Sequence, residues 1–125
     1  MGVKHFRELD VWQHSMNLVA DVYRLLKTFP AEEQFALSLQ MRRAVVSIPS
    51  NIAEGFGRQT HKDFAHFLVQ ARGSLYEVET QLEIAVRLGY CLNDAEIMCH
   101  IADVAKGLSS LLKYLSSSST PHTVH

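Results

Sequence analysis

This sequence has few of the features on which chemistry is usually built. Cysteine occurs only as Cys91 and Cys99, whose spacing forms no CxxC pair for a metal or redox centre. With no signal peptide recognisable ahead of them, both thiols are expected to be free in a reducing, cytoplasmic setting. No apolar run approaches the roughly 18 residues that span a membrane, so no membrane partner is expected. Net charge is almost absent, at −1, which excludes a chain drawn to nucleic acid by its bulk charge. No segment alternates with period two for long enough to make a strand.

Recognisable sites are missing too. Gly55-Phe56-Gly57-Arg58 has neither phosphate-loop nor dinucleotide spacing, and it follows a helical pattern where those motifs follow a strand. Carboxylate-bridged metal sites in helical bundles need Glu-x-x-His on two helices. Glu96, Cys99, His100 and Asp103 form only one cluster on one amphipathic segment, so neither a metal nor another cofactor is expected. Ser47, Ser50 and Ser74 lack the G-x-S-x-G context of a nucleophile, and no spacing ties His61 or His66 to them. No catalytic residue stands out, and the chain reads as a protein other than an enzyme, with no small-molecule substrate.

What the chain does have is helical periodicity. Its 125 residues, 47% hydrophobic and 20% charged, suit one soluble domain with a real core. The first helix is expected over about 10–29, with Asp10 as N-cap and Gln13 completing a capping box. Trp12, Met16, Val19, Tyr23, Leu26 and Phe29 mark its apolar face. Val11, Leu18, Val22 and Leu25 widen that face enough to imply a second neighbour. The third helix, about 61–88, starts after Thr60. It carries Phe64, Leu68, Ala71, Leu75, Val78, Leu82 and Ala85 at the 3.5-residue period of left-handed bundle packing, and Gly89 follows as its stop. The fourth, about 94–115, is capped by Asn93 with Glu96 and buries Met98, Ile101, Ala105, Leu108, Leu112 and Leu115. Residues 116–125 read as a flexible Ser/Thr-rich tail.

The second helix, about 33–56, contains Pro49. Met41, Val45, Ile48, Ile52 and Phe56 keep one apolar phase straight through it, and loop residues do not keep helical register. The pattern therefore predicts a helix kinked near Pro49, with Ser47 and Ser50 serving the carbonyl that proline frees, and with Gly55 and Gly57 as its stop. Short connections between such helices favour an all-α, antiparallel up-down-up-down four-helix bundle occupying residues 1–115.

Charge is unevenly placed along this frame. Over residues 40–62, Arg42, Arg43, Arg58 and Lys62 face only Glu54. Over residues 63–100, Asp63, Glu77, Glu79, Glu83, Asp94 and Glu96 outnumber Arg72 and Arg87. Two readings follow. Arg43, Asn51, Glu54, Arg72, Glu77 and Glu79 form a structural polar network within or between subunits. Alternatively, Arg42, Arg43, Arg58, Lys62 and Arg72 contact RNA or DNA phosphates.

Three stretches carry a family resemblance: Leu9-Asp-Val-Trp-Gln13, Met41-Arg-Arg-Ala-Val-Val-Ser-Ile-Pro-Ser-Asn-Ile-Ala-Glu-Gly-Phe-Gly-Arg58, and Ala71-Arg-Gly-Ser-Leu-Tyr-Glu-Val-Glu-Thr-Gln-Leu82. Over about residues 7–115 the chain resembles the four-helix-bundle proteins encoded in intervening sequences of bacterial 23S ribosomal RNA genes. The retroelement accessory variability proteins are more distant relatives. The resemblance implies an up-down bundle that assembles into a homopentamer. In the retroelement branch it also implies binding to nucleic acid and to a reverse transcriptase. Those relatives are strongly basic, and this chain departs from them. The reading from sequence is thus a self-associating binding or adaptor bundle, with nucleic-acid binding as the alternative.

Overall fold

The structure, a computed structural model, describes residues 2–117. Four helices carry it: α1 (Asp10–Leu26), α2 (Leu37–Phe56), α3 (His61–Arg87) and α4 (Ala95–Ser116). Single 3-10 turns precede α1 at Phe6–Glu8 and α2 at Ala31–Glu33, and there is no strand among the described residues. Of the tail expected over 116–125, Ser116 closes α4 and Ser117 is its C-cap, and the rest lies outside the described residues.

Helices consecutive in sequence are neighbours in space. α2 packs most extensively on α3, and α1 lies against both α4 and α2 while α3 also meets α4. No contact joins the diagonal pairs among the described residues, which is the arrangement of a four-helix bundle around one core. Contacts along the pairs run in opposite order: Gly107 meets Val11 while His100 meets Asp21, and Gly55 meets Phe64 while Ser47 meets Ser74.

The apolar faces of α2 and α3 are those the periodicity picks out. Met41, Val45, Ile48, Ile52 and Phe56 are buried, and so are all seven residues of the 3.5-residue repeat on α3. The other two helices are rotated from expectation. On α1 the core takes Val11, Leu18, Val22 and Leu26, while Met16 and Tyr23 lie outside. Ser15 is fully buried in that stripe, its Oγ donating to the Trp12 carbonyl at 2.7 Å, and this polar member hid the face from a count of apolar residues. The surplus apolar area assigned to α1 is therefore largely consumed by the protein's own core. On α4 Ile101, Leu108 and Leu115 are buried as expected, but Ile97 and Val104 take the places read for Met98 and Ala105, and Met98 is exposed.

Helix ends also differ in detail. Asp10 is the first helical residue of α1 and not its cap, and the Gln13 side chain donates to the Arg7 carbonyl at 3.0 Å. The Asp10 carboxylate still sits favourably at the positive end of the helix dipole. Lys27, Thr28 and Phe29 donate to carbonyls three residues back, so α1 tightens and stops before Pro30. Leu37, not residue 33, opens α2, and its N–H is served by Glu33 Oε1 at 3.3 Å. Thr60 caps α3 through Asp63 N at 3.1 Å, as expected. Asp94, not Asn93, caps α4 through Ile97 N at 3.1 Å.

α3 ends in a Schellman turn: Tyr90 N–H donates to the Ala85 carbonyl and Gly89 N–H to that of Val86, with Gly89 at φ +79°. Only glycine adopts that conformation without strain. Gly89→Ala should cost about 1 kcal/mol in a denaturant melt, the usual penalty for a Cβ at positive φ.

α2 is assigned as helix without interruption across the buried Pro49. The neighbouring serines do not serve the carbonyl that proline frees. Ser47 Oγ donates to the Ala44 carbonyl at 2.7 Å and Ser50 Oγ to that of Val46 at 2.9 Å. Gly55 is not a stop either. It is a buried helical residue, and a Cβ there would lie 2.7 Å from Phe67 Cβ and 2.9 Å from Phe64 Cδ1. Glycine at this point lets α2 and α3 close on one another. Gly57 is the C-cap, in the ordinary right-handed conformation.

Candidate interaction surface

The structure scatters the residues expected to act together. Asn51 Nδ2 donates to the Ser47 carbonyl of its own helix at 2.8 Å, and Glu54 pairs with Arg58 one turn on, at 3.4 Å. Both interactions are local to the end of α2. No hydrogen bond or ion pair among the described residues joins Arg43, Arg72, Glu77 or Glu79 to one another. The bond that does cross the α2–α3 seam is between the Ser47 and Ser74 hydroxyls, at 2.5 Å.

The expected phosphate contacts are likewise unequal. Arg42 Nη2 donates to the Gln34 carbonyl at 3.0 Å, which ties it to the loop before α2. Arg58 sits 4.6 Å from the centre of the Phe67 ring and pairs with Glu54. Arg43 and Lys62 are exposed and Arg72 half-buried, with no ion pair among the described residues.

Two polar clusters connect the helices; the sequence singles out Glu96 and His100 in the first and Arg43 and Glu77 in the second, but not the partners on the facing helices. The first lies between α1 and α4. Asp21 is buried at 4% exposure, and its Oδ1 accepts from Arg24 Nη2 at 2.9 Å. Its Oδ2 accepts from His100 Nδ1, which must carry the proton because an ionised carboxylate has none to donate. Arg24 also lies 3.6 Å from Glu96. The hydrogen bond and charge of Asp21 hold the Arg24 guanidinium above its ordinary pKa. Asp21, Glu96 and His100 each offer one ligand atom within 4.8 Å of the others. Arg24 pairs with both carboxylates, so the set also joins α1 to α4 as an ion cluster. The signal in the sequence was Asp21 itself, a carboxylate beside Val22 on the buried stripe with an arginine three residues later.

The second cluster lies along α2–α3. Gln40, Arg43, Ser47, Ser74, Glu77 and Gln81 line a groove of about 430 Å³. It continues into one bordered by Gly73, Tyr76, Thr80 and Ile84, which shares Gln40, Glu77 and Gln81. Gln81 Oε1 is buried and lacks a hydrogen-bond partner. Gly73 stands mid-helix, where glycine costs about 1 kcal/mol relative to alanine. A Cβ at Gly73 would meet nothing within 4 Å.

At the end of the bundle, Tyr90 Oη donates to Glu33 Oε2 at 2.6 Å, and its ring meets Phe29 at 5.5 Å. The hydrogen bond to this carboxylate, with burial and its charge adding to it, raises the Tyr90 pKa above 10.0. A raised folded-state pKa contributes stability that is complete below the unfolded value and is lost as pH rises through the folded one. The melting temperature should therefore fall above about pH 10, and Tyr90→Phe should flatten that fall. Cys91 and Cys99 are unbonded, and burial, reinforced by Asp94, raises the Cys91 pKa, the opposite of an activated nucleophile. Among the described residues no helix is long and apolar enough to cross a membrane.

These features match known proteins in architecture. A protein of unknown function from the S23 ribosomal protein family of Bacteroides thetaiotaomicron superposes with a TM-score of 0.68 at 25% identity, covering 84% of this chain and 97% of that one. No curated protein matches the chain. The 23S rRNA-intervening sequence protein family matches over residues 7–112, nearly the whole bundle. That span takes in the Pro49 helix, the Gly55 contact and the repeat on α3, and the chain belongs to this family.

Proposed function

We propose that the protein is a non-enzymatic helical bundle that assembles with further copies of itself and works as a binding or adaptor module. The observation that carries this reading is the outward side of α3. Val69, Tyr76, Ile84 and Leu88 lie there at 42–58% exposure, turned away from the buried repeat, with Gly73 between them. An apolar stripe of this kind on a soluble bundle marks a surface that another protein covers. A ring of five is the number that the family resemblance implies. Multi-angle light scattering of the full chain at micromolar concentration tests the reading. A mass several times that of one chain is expected, and a monomer throughout would end it.

The alternative reading, contact with RNA or DNA through Arg42, Arg43, Arg58, Lys62 and Arg72, has less support. Arg42 and Arg58 are already engaged within the chain, which leaves Arg43, Lys62 and Arg72. Repetition around an assembly multiplies even a sparse basic patch. A low-salt anisotropy titration tests it, and binding unchanged by R43A/K62A/R72A would remove it.

A further inference from the structure

Asp21 is a buried carboxylate on the stripe of α1 that also carries Leu18 and Val22, and an ionised group in such a place calls for cations. Three metal-binding side chains converge on it from two helices. Asp21 Oδ2 already meets His100 Nδ1, and Glu96 stands one turn before His100 on the same face of α4. The i, i+4 spacing that pairs two histidines in helical zinc motifs here pairs a carboxylate with a histidine. Asp21, from the facing helix, is the third donor that spacing along α4 alone does not supply. One ligand atom from each residue lies within 4.8 Å of the other two. Around a tetrahedral zinc ion with bonds of about 2.0–2.1 Å, such atoms stand about 3.3 Å apart. Glu96, an exposed side chain, is the member free to turn inward and close the gap.

We propose that Asp21, Glu96 and His100 bind one zinc ion, which clips the first helix of the bundle to the last. The ion takes the Nδ1 lone pair of His100, whose proton passes to solvent, and one oxygen of each carboxylate. Three protein ligands leave a fourth position to water. One imidazole with two carboxylates suits zinc better than magnesium or calcium, which take oxygen ligands in larger number. Arg24 holds the place of this charge in the metal-free chain. Its guanidinium reaches the two carboxylates at 2.9 and 3.6 Å, and its side chain is exposed enough to swing into solvent when the ion enters. The α1–α4 seam lies across the bundle from the α2–α3 pair, so the inference is independent of the self-assembly reading.

Zinc titration of the EDTA-stripped full chain against a chromophoric chelator, paired with thermal melts with and without zinc, tests it. One zinc ion per chain is expected, with a melting temperature that rises in zinc and not in magnesium or calcium. Glu96→Gln should melt like wild type without zinc, since its ion pair is exposed, yet weaken zinc binding about tenfold or more. Arg24→Ala should bind zinc several-fold more tightly than wild type, because the competing cation is gone. A cluster that served only to hold the helices together would show no such gain. Cys99→Ser, next in sequence to His100, and His14→Ala, which removes the partner of Asp103, should bind zinc as wild type does. A wild-type chain that binds no zinc, a Glu96→Gln variant that binds it equally well, or an Arg24→Ala variant that gains nothing would overturn the site. So would binding lost in Cys99→Ser or His14→Ala.

Discussion

His100→Ala is expected to lower folding stability by about 3 kcal/mol, more than Asp21→Asn, although Asp21 is the buried residue of the pair. The ordering follows from what each change leaves behind. Removing the imidazole leaves the Asp21 carboxylate at the α1–α4 seam with one oxygen deprived of its donor, and an undercompensated buried charge is costly. Asp21→Asn removes the charge itself. The amide still accepts from Arg24, and the loss should be about 1–2 kcal/mol. Arg24→Ala should fall below His100→Ala, because the guanidinium is more than half exposed and water can take its place. Urea melts of the three variants check the order. A larger loss for Asp21→Asn than for His100→Ala would show that the Asp21 charge is compensated mainly by Arg24 and not by His100.

Gly55→Leu should destabilise by about 3 kcal/mol or more, and Gly55→Ala by about 1 kcal/mol. Alanine gains roughly 1 kcal/mol of helix propensity over glycine, which offsets part of the clash. The clash dominates because the first new atom would lie 2.7 Å from Phe67 Cβ, an atom close to the backbone that cannot swing aside. The α2–α3 pair must then separate, at the expense of neighbouring core residues Phe56 and Phe64. Gly73→Ala, on the adjacent helix, has no clash within the chain and should stabilise the isolated fold by up to about 1 kcal/mol. Opposite signs for alanine at two helical glycines would locate where the bundle is closed and where it is open.

Legibility in the sequence followed the physics of each element. The faces of α2 and α3 are readable because each carries an unbroken series of apolar residues at helical spacing, so period alone finds them in spite of buried Ser38, Ser74 and Gln81. α1 was misread because Ser15 and Asp21 occupy buried positions, and a polar residue satisfied by a helix carbonyl or by a distant histidine looks exposed in one dimension. Caps were uncertain by one residue, since Asp94 and Asn93 are both good cap formers and only the geometry chooses. Glycine commonly ends helices, so the sequence points to Gly55 as a terminator, whereas its role depends on Phe64 and Phe67 of another helix. The surface on α3 was hidden for a related reason. Gln81 and Gly73 become unusual only once their surroundings are known to contain no partner and no neighbour.

The family motif takes on a different meaning in this light. In Ser47-Ile-Pro-Ser-Asn-Ile-Ala-Glu-Gly, Ile48, Pro49, Ile52 and Gly55 are buried and Ser47 bonds across to Ser74. These residues hold α2 against α3, so the motif specifies the platform that carries the outward face of α3.

Hydrogen exchange measured on the same protein, dilute and then concentrated, tests the central claim most directly. Peptides covering residues 69–84 should slow markedly on concentration, while those covering α4 should change little. Slowing confined to α4, with residues 69–84 unchanged in an assembled sample, would contradict the account.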